Sequence, residues 1–200
     1  NDTEFPDTFL EELLSATRAS GHALFAPKMY YHDDPTRIWF AGGYFVSWLG
    51  NDARHIGQDE LDTSRFNRAR DIDFITGCCM LIDAKVFRTI GLLDPKYFAY
   101  LEDADFCLRA RRAGFEMRYV PNARLFHKVS SLTGGGQSPF SIRMGARNRA
   151  YFLRKHCAKP LFFAYAMLYV GLLTTRLLLG RDTLHRYRLP LRSFREGLRH

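Results

Sequence analysis

Two hundred residues, 46% of them apolar and 14% aromatic, suffice for one ordinary domain with a real core and exclude an intrinsically disordered chain. The formal charge of +8 is uneven: residues 141–200 hold 13 of the 29 basic and 2 of the 21 acidic side chains. Those basic residues are interleaved with Leu and Phe and carry no nucleic-acid motif, which disfavours nucleic acid and points to an anionic membrane surface.

From the N-terminus, Asp7 is the expected cap of a helix in "TFLEELLSATRASG", with Phe9, Leu10, Leu13 and Leu14 on one face and Gly21 as the stop. "HALFAPKMYY" predicts a strand broken at Pro27, and "DDPTRIWFAGGYFVSW" a turn at Asp33–Pro35 followed by a hairpin around Gly42–Gly43. Residues 50–70 are polar without periodicity and predict a long surface loop. "DIDFITGCCMLI" is the most strand-like run of the chain and predicts a strand buried on both faces. Cys78 and Cys79 lie inside it, and with Cys107 and Cys157 they match no zinc spacing, so all four read as reduced thiols of a reducing compartment.

Asp83 caps a short helix, "AKVFRTI", closed by Gly91. "YLEDADFCLRARRAG" predicts a second helix with Glu102, Asp103 and Asp105 at its start and Arg109, Arg111 and Arg112 at its end. That distribution suits the helix dipole, Asp105 can reach Arg109 one turn on, and Gly114 closes the helix. Phe106, Ala110 and Ala113 share its apolar stripe. Helix electrostatics is one sufficient reading of the three acids. Glu102 and Asp103, however, follow the aromatic stretch Tyr97–Tyr100, and paired carboxylates at a pocket edge also suit a general base.

"FEMRYV" predicts a strand ended by Pro121, and "ARLFH" a resumed extended course to His127, which reads either as a structural histidine or as a metal ligand. "KVSSLTGGGQSP" predicts a glycine-rich loop, and "FSIRMGARNRAYFLRKH" a basic amphipathic helix. The apolar stretch Pro160–Gly180 is close to bilayer length. A helix lying in the interface or re-entering it fits best, because Arg176 sits near its end and basic residues flank both sides; a true span and a buried helix remain alternatives.

Taken in order, "DFITGCCMLIDAKVFRTIGLLDPKYFAYLEDADFCLRARRAGFEMRYVPNARLFH" resembles the acceptor-side half of family 2 glycosyltransferases, closest to the rhamnosyltransferase-like bacterial members. Over residues 1–156 the resemblance implies an α/β chain with part of the nucleotide-diphospho-sugar transferase (glycosyltransferase A) fold, a mixed sheet with flanking helices. Residues 157–200 would form a basic, apolar, helical membrane-associating tail. It further implies inverting transfer of a sugar, rhamnose among the options, from a nucleotide-sugar donor to a glycan or lipid-linked glycan acceptor. The setting would be cell-envelope polysaccharide synthesis at the cytoplasmic membrane face. The alternative is a catalytically inactive, membrane-docked interaction module that keeps the fold.

The implied roles are residue by residue. Asp103 is the base and Glu102 orients the acceptor or tunes its neighbour. Asp2 and His127 approach a divalent cation, Mg2+ or Mn2+, that bridges the donor diphosphate. Gly77 and Cys78 line the floor, and the loop Thr133, Gly134, Gly135 and Gly136 closes over the donor. In that family a strand–helix–strand half holding the nucleotide precedes the metal motif, of which Asn1–Asp2 is the end. The chain is therefore expected to be a fragment, weak in donor binding and activity alone.

Overall fold

The computed structural model describes residues 2–129, 138–180 and 184–199. The chain divides into two compact units: Asn1–Val46, Ala53–Asp94 and Glu102–Ser131 form the first, and Ser47–Asp52, Pro95–Leu101 and Leu132–His200 the second.

The first unit is built on two parallel strands, β2 (Leu24–Tyr31) and β8 (Met117–His127). Every residue of β2 but the last is buried, as a strand covered on both faces requires. The free edge of β8 is taken in succession by β6 (Arg70–Ile72) and β1 (Thr3–Glu4), and that of β2 by β7 (Leu81–Ile82) and β3 (Ile38–Phe40), all antiparallel. The result is a mixed six-stranded sheet. Together with its flanking helices this is the α/β architecture expected from the sequence. A separate two-stranded sheet pairs β4 (Gly43–Val46) with β5 (Asp52–His55).

Neither proline breaks its strand. Pro27 pairs with Val120, and the next residue, Lys28, pairs with Arg124, so residues 121–123 of β8 bulge out at this point. Both prolines fall where the ladder is interrupted, and their missing N–H groups cost no hydrogen bond there. The hairpin expected around Gly42–Gly43 forms differently: β3 turns back on β2, while β4 pairs with β5.

Residues 50–70 are not simply a surface loop. They carry β5 and a short 3-10 turn, Ser64–Phe66, whose Phe66 is buried. Asp62 and Asn67 reach the fully buried Lys28: its Nζ donates to both Asp62 oxygens (3.1 and 3.0 Å) and to Asn67 Oδ1 (2.6 Å), and the Tyr30 hydroxyl donates to Asp62 (2.6 Å). A buried ammonium is tolerable only with such a complete set of acceptors. This polar clasp ties the segment to the sheet.

Helix α1 (Phe9–Ala19) is preceded by Thr8 rather than Asp7 at the cap, and only Phe9 and Leu13 are buried; Leu10 and Leu14 face outward. Helix α2 (Ala84–Ile90) follows the sequence closely, with the Asp83 side chain accepting from the Lys85 N–H and Gly91 in the left-handed region at φ 79°.

The second unit packs α4 (Pro139–His156), α5 (Lys159–Leu178) and α6 (Leu184–Gly197). Its core is Ala150, Leu153 and Phe194, against which Phe162, Tyr165, Ala166 and Tyr169 of α5 lie. The α4 and α6 backbones approach so closely that a Cβ on Gly197 would collide with the Arg147 carbonyl. No described residue of α5 is buried, so the buried-helix alternative is not what forms.

Candidate active site

Helix α3 (Glu102–Arg112) begins with the three acids and ends with the three arginines. Gly114 closes it at φ 85°, and the Phe115 N–H returns to the Ala110 carbonyl (3.0 Å). Asp105 is fully buried and accepts from Arg109 Nε at 2.8 Å. The same guanidinium donates to the Ile90 and Leu92 carbonyls (2.7 and 2.9 Å). Asp105 thus has a structural role, joining α3 to the end of α2. Phe106 and Ala110 are buried as expected, whereas Ala113 is exposed.

Glu102 and Asp103 are placed differently. Asp103 Oδ2 accepts the Gly77 N–H at 2.8 Å and Oδ1 accepts the Ala104 N–H at 2.7 Å. Part of the side chain reaches solvent, yet protein surrounds it densely. That burial raises its pKa above the usual carboxylate range, while the Gly77 and Ala104 amides and the Thr76 hydroxyl pull it back. Glu102 is raised as well, first by burial and then by the charge of Asp103. Its Oε2 is buried without a hydrogen-bond partner. Two carboxylates held side by side at a helix start, both with a raised pKa, are the candidate for proton-accepting chemistry.

The segment expected to be a buried strand contributes to this geometry by not being one. Between β6 and β7 it leaves the sheet and is lashed to α3. The Ile75 N–H donates to Cys107 Sγ and the Cys107 thiol to the Ile75 carbonyl, both at 3.4 Å, and Gly77 is held by Asp103. A Cβ on Gly77 would lie 3.6 Å from both Asp103 Oδ2 and Glu102 Oε1, so this glycine lies directly against the carboxylate pair. Its neighbour Cys78 is a protonated thiol, pushed up to about 12 by burial, then by Cys79 and by the charge of Asp2.

Asp2 and His127 come together at the sheet edge. The Lys128 N–H donates to the Asp2 carbonyl (2.7 Å), and His127 Nε2 lies 3.6 Å from Asp2 Oδ2. Burial lowers the His127 pKa against the opposing pull of Asp2, so the neutral imidazole is favoured, and its buried Nδ1 has no partner. Two residues went unnoticed in the sequence. Trp39 packs edge-on against His127 (ring centroids 4.3 Å apart) and His55 (5.1 Å). The aromatic run "RIWF" was the available signal, but only the fold brings it to His127.

Among the described residues no three His, Cys, Asp or Glu side chains gather around one point. The carboxylate of Asp2 and the neutral imidazole of His127, whose buried Nδ1 has no partner, are side chains of the type that would hold a divalent cation. Thr133, Gly134, Gly135 and Gly136 lie outside the described residues.

In the second unit, the stretch just ahead of Glu102 holds an unusual backbone. Phe98, Tyr100 and Leu101 all have positive φ (62°, 69° and 70°). Asn148 of α4, 1% exposed, points its Nδ2 at the carbonyls of Tyr97, Ala99 and Tyr100 (2.8, 2.5 and 2.8 Å). Arg147 donates to Asn148 Oδ1 (3.1 Å) and to the Lys96 carbonyl (2.7 Å), which fixes the amide's orientation.

The family model for glycosyltransferase-like family 2 matches residues 5–152. The chain belongs to this family. Among its relatives, an N-acetylglucosaminyl-diphospho-decaprenol L-rhamnosyltransferase of Mycobacterium tuberculosis is 34% identical over 77 residues, 38% of this chain and 24% of the relative. A rhamnosyltransferase of Escherichia coli is 38% identical over 70 residues, covering 35% and 25%. A low-salt glycan biosynthesis hexosyltransferase of Haloferax volcanii is 30% identical over 96 residues, covering 48% and 31%. The chain thus spans between a quarter and a third of these curated relatives. The name of the Haloferax relative places that protein in glycan biosynthesis, and enzymes of family 2 commonly use a divalent cation.

Proposed function

We propose that this chain carries the acceptor-side catalytic residues of an inverting family 2 glycosyltransferase that moves a sugar, rhamnose foremost, from a nucleotide-sugar to a hydroxyl of a glycan or lipid-linked glycan in cell-envelope polysaccharide synthesis. The observation that carries this is the Glu102–Asp103 pair, two carboxylates of raised pKa at the start of α3, with Asp103 oriented by two backbone N–H groups. The names of the rhamnosyltransferase relatives support the choice of sugar.

In the transfer, the Asp103 carboxylate takes the proton of the acceptor hydroxyl as that oxygen attacks the anomeric carbon. The bond from that carbon to the diphosphate oxygen breaks, and the nucleoside diphosphate leaves with the electron pair. One displacement inverts the anomeric configuration. Glu102, its pKa raised by burial and then by the charge of Asp103, sits beside the base and would orient the acceptor or tune its neighbour. Asp2 and His127 would hold the divalent cation, which supplies charge neutralisation at the leaving diphosphate. Gly77 and Cys78 floor the acceptor position, and the loop of Thr133 to Gly136 is assigned to the donor.

The lipid-linked substrate in the mycobacterial relative's name, the apolar α5 and the basic C-terminal third support work at the cytoplasmic face of a membrane. The test is product analysis with a panel of nucleotide-sugars and a glycan acceptor, with the anomeric configuration of the new bond read by NMR. A single inverted glycoside is expected. Retention of configuration, or sugar-nucleotide turnover that never yields a glycoside, contradicts the reading.

A further inference from the structure

Helix α6 has two faces. Pro190, Ser193, Phe194 and Gly197 point inward and are buried, while Arg188, Arg192 and Arg195 recur at helical spacing on the outer face and are exposed, as is Arg199 in the turn just past the helix end. The Arg192 side chain is 85% exposed. The arginines line a groove of about 670 Å³, and Arg199 continues into a second of about 540 Å³ with Arg143 and Arg147 of α4. Among the residues lining the two grooves, Glu196 alone is acidic, and Arg143 and Arg192 already reach it (3.5 and 3.6 Å). The stripe keeps a large positive excess.

Helix α5, in the same unit, complements it. Its inward side chains Phe162, Tyr165, Ala166 and Tyr169 rest on the α4–α6 core, Tyr169 stacks on Phe194 (4.9 Å), and the Tyr165 hydroxyl accepts from Arg149 (2.9 Å). Its outward side chains stay apolar and exposed: Phe163 at 62%, Met167 at 77% and Leu178 at 80%. Length and composition would let this helix cross a bilayer. A span, however, would surround α5 with lipid and strip its inner face from the α4–α6 core, leaving the buried Arg149 without Tyr165.

We infer that the second unit docks on an anionic phospholipid bilayer without crossing it: the α6 arginine stripe binds headgroup phosphates, and the outward face of α5 lies among the first acyl carbons. Arginine forks match phosphate oxygens in pairs, and a basic surface beside an apolar face is the pattern of an interfacial helix. A nucleic acid would satisfy the arginines but leave the apolar face in water, and a second copy would oppose arginine to arginine.

The experiment is flotation of the full chain with vesicles of pure phosphatidylcholine or of equal parts phosphatidylcholine and phosphatidylglycerol. Recovery is expected with the anionic vesicles only, with release by high salt and by alkaline carbonate. Arg192→Glu/Arg195→Glu should weaken anionic-vesicle binding by roughly 30-fold or more, from the loss of two headgroup contacts, with an unchanged circular dichroism spectrum. Carbonate-resistant recovery, full binding by the double variant, or a larger loss of RNA binding than of vesicle binding would overturn it. The inference rests on the membrane reading above, and the two fail apart. Equal flotation with neutral vesicles removes the arginine surface but leaves membrane association, whereas flotation with neither removes both.

Discussion

Asp103→Asn is expected to lower the transfer rate about a thousandfold at saturating donor and acceptor, the usual worth of a positioned general base. The amide cannot take up the acceptor proton. It also meets two backbone N–H groups with one oxygen and one NH2, so either the Gly77 or the Ala104 N–H loses its acceptor, a cost of about 1–2 kcal/mol. That cost is small against the stability of an ordinary domain, so the variant stays folded and binds donor as before. Single-turnover kinetics with a thermal melt separates the two effects. Turnover within a few-fold of the natural protein would remove Asp103 from the chemistry.

Asn148→Ala is the largest expected structural loss. Its Nδ2 carries two hydrogens and serves three carbonyls of a stretch in which three non-glycine residues hold positive φ. Removing it leaves buried carbonyls unpaired and a strained backbone unsupported, and about 2–4 kcal/mol of unfolding free energy is expected to go. Asn148→Asp is the sharper comparison. It has nearly the same shape, but it would direct a carboxylate oxygen at those carbonyls and is expected to be worse than Ala. Chemical denaturation measures both. An Asp variant as stable as the natural protein would show that the amide is not the clamp.

The sequence exposes the chain's helices better than its sheet. The acid-to-base order of α3, the Asp83 cap with Gly91 beyond it, and the Asp105–Arg109 pair are local patterns, and they form as read. The prolines at 27 and 121 misled because a proline breaks a strand only where its N–H is needed. Which residues fall opposite a bulge depends on a partner nearly a hundred residues away. The run "DIDFITGCCMLI" has strand composition, yet its middle leaves the ladder because Asp103 and Cys107 offer its backbone other partners. Residues 50–70 look solvent-directed because Asp62 and Asn67 are polar, and nothing nearby in sequence shows that Lys28 is buried beneath them.

The candidate site was legible for a different reason. Its acids are adjacent in sequence at a helix start, and the family pattern supplies their company. The structure adds the Gly77 and Ala104 amides that orient Asp103, the Asp2–His127 approach, and Trp39 between two histidines. All of these need long-range contacts that no spacing rule conveys. The backbone clamp at Asn148 was invisible for the same reason, since an Asn in a basic helix reads as one more polar residue.

The central claim is that a carboxylate of raised pKa, Asp103, accepts the acceptor proton, and the pH dependence of kcat/KM tests it most directly. A base works only when ionised, so activity must fall as pH drops through its pKa. Because burial raises that pKa, the acid limb is expected above the ordinary aspartate value of about 3.9. The residual activity of Asp103→Asn is expected to lack this limb. A limb within the ordinary aspartate range, or the same limb surviving in Asp103→Asn, would contradict the account.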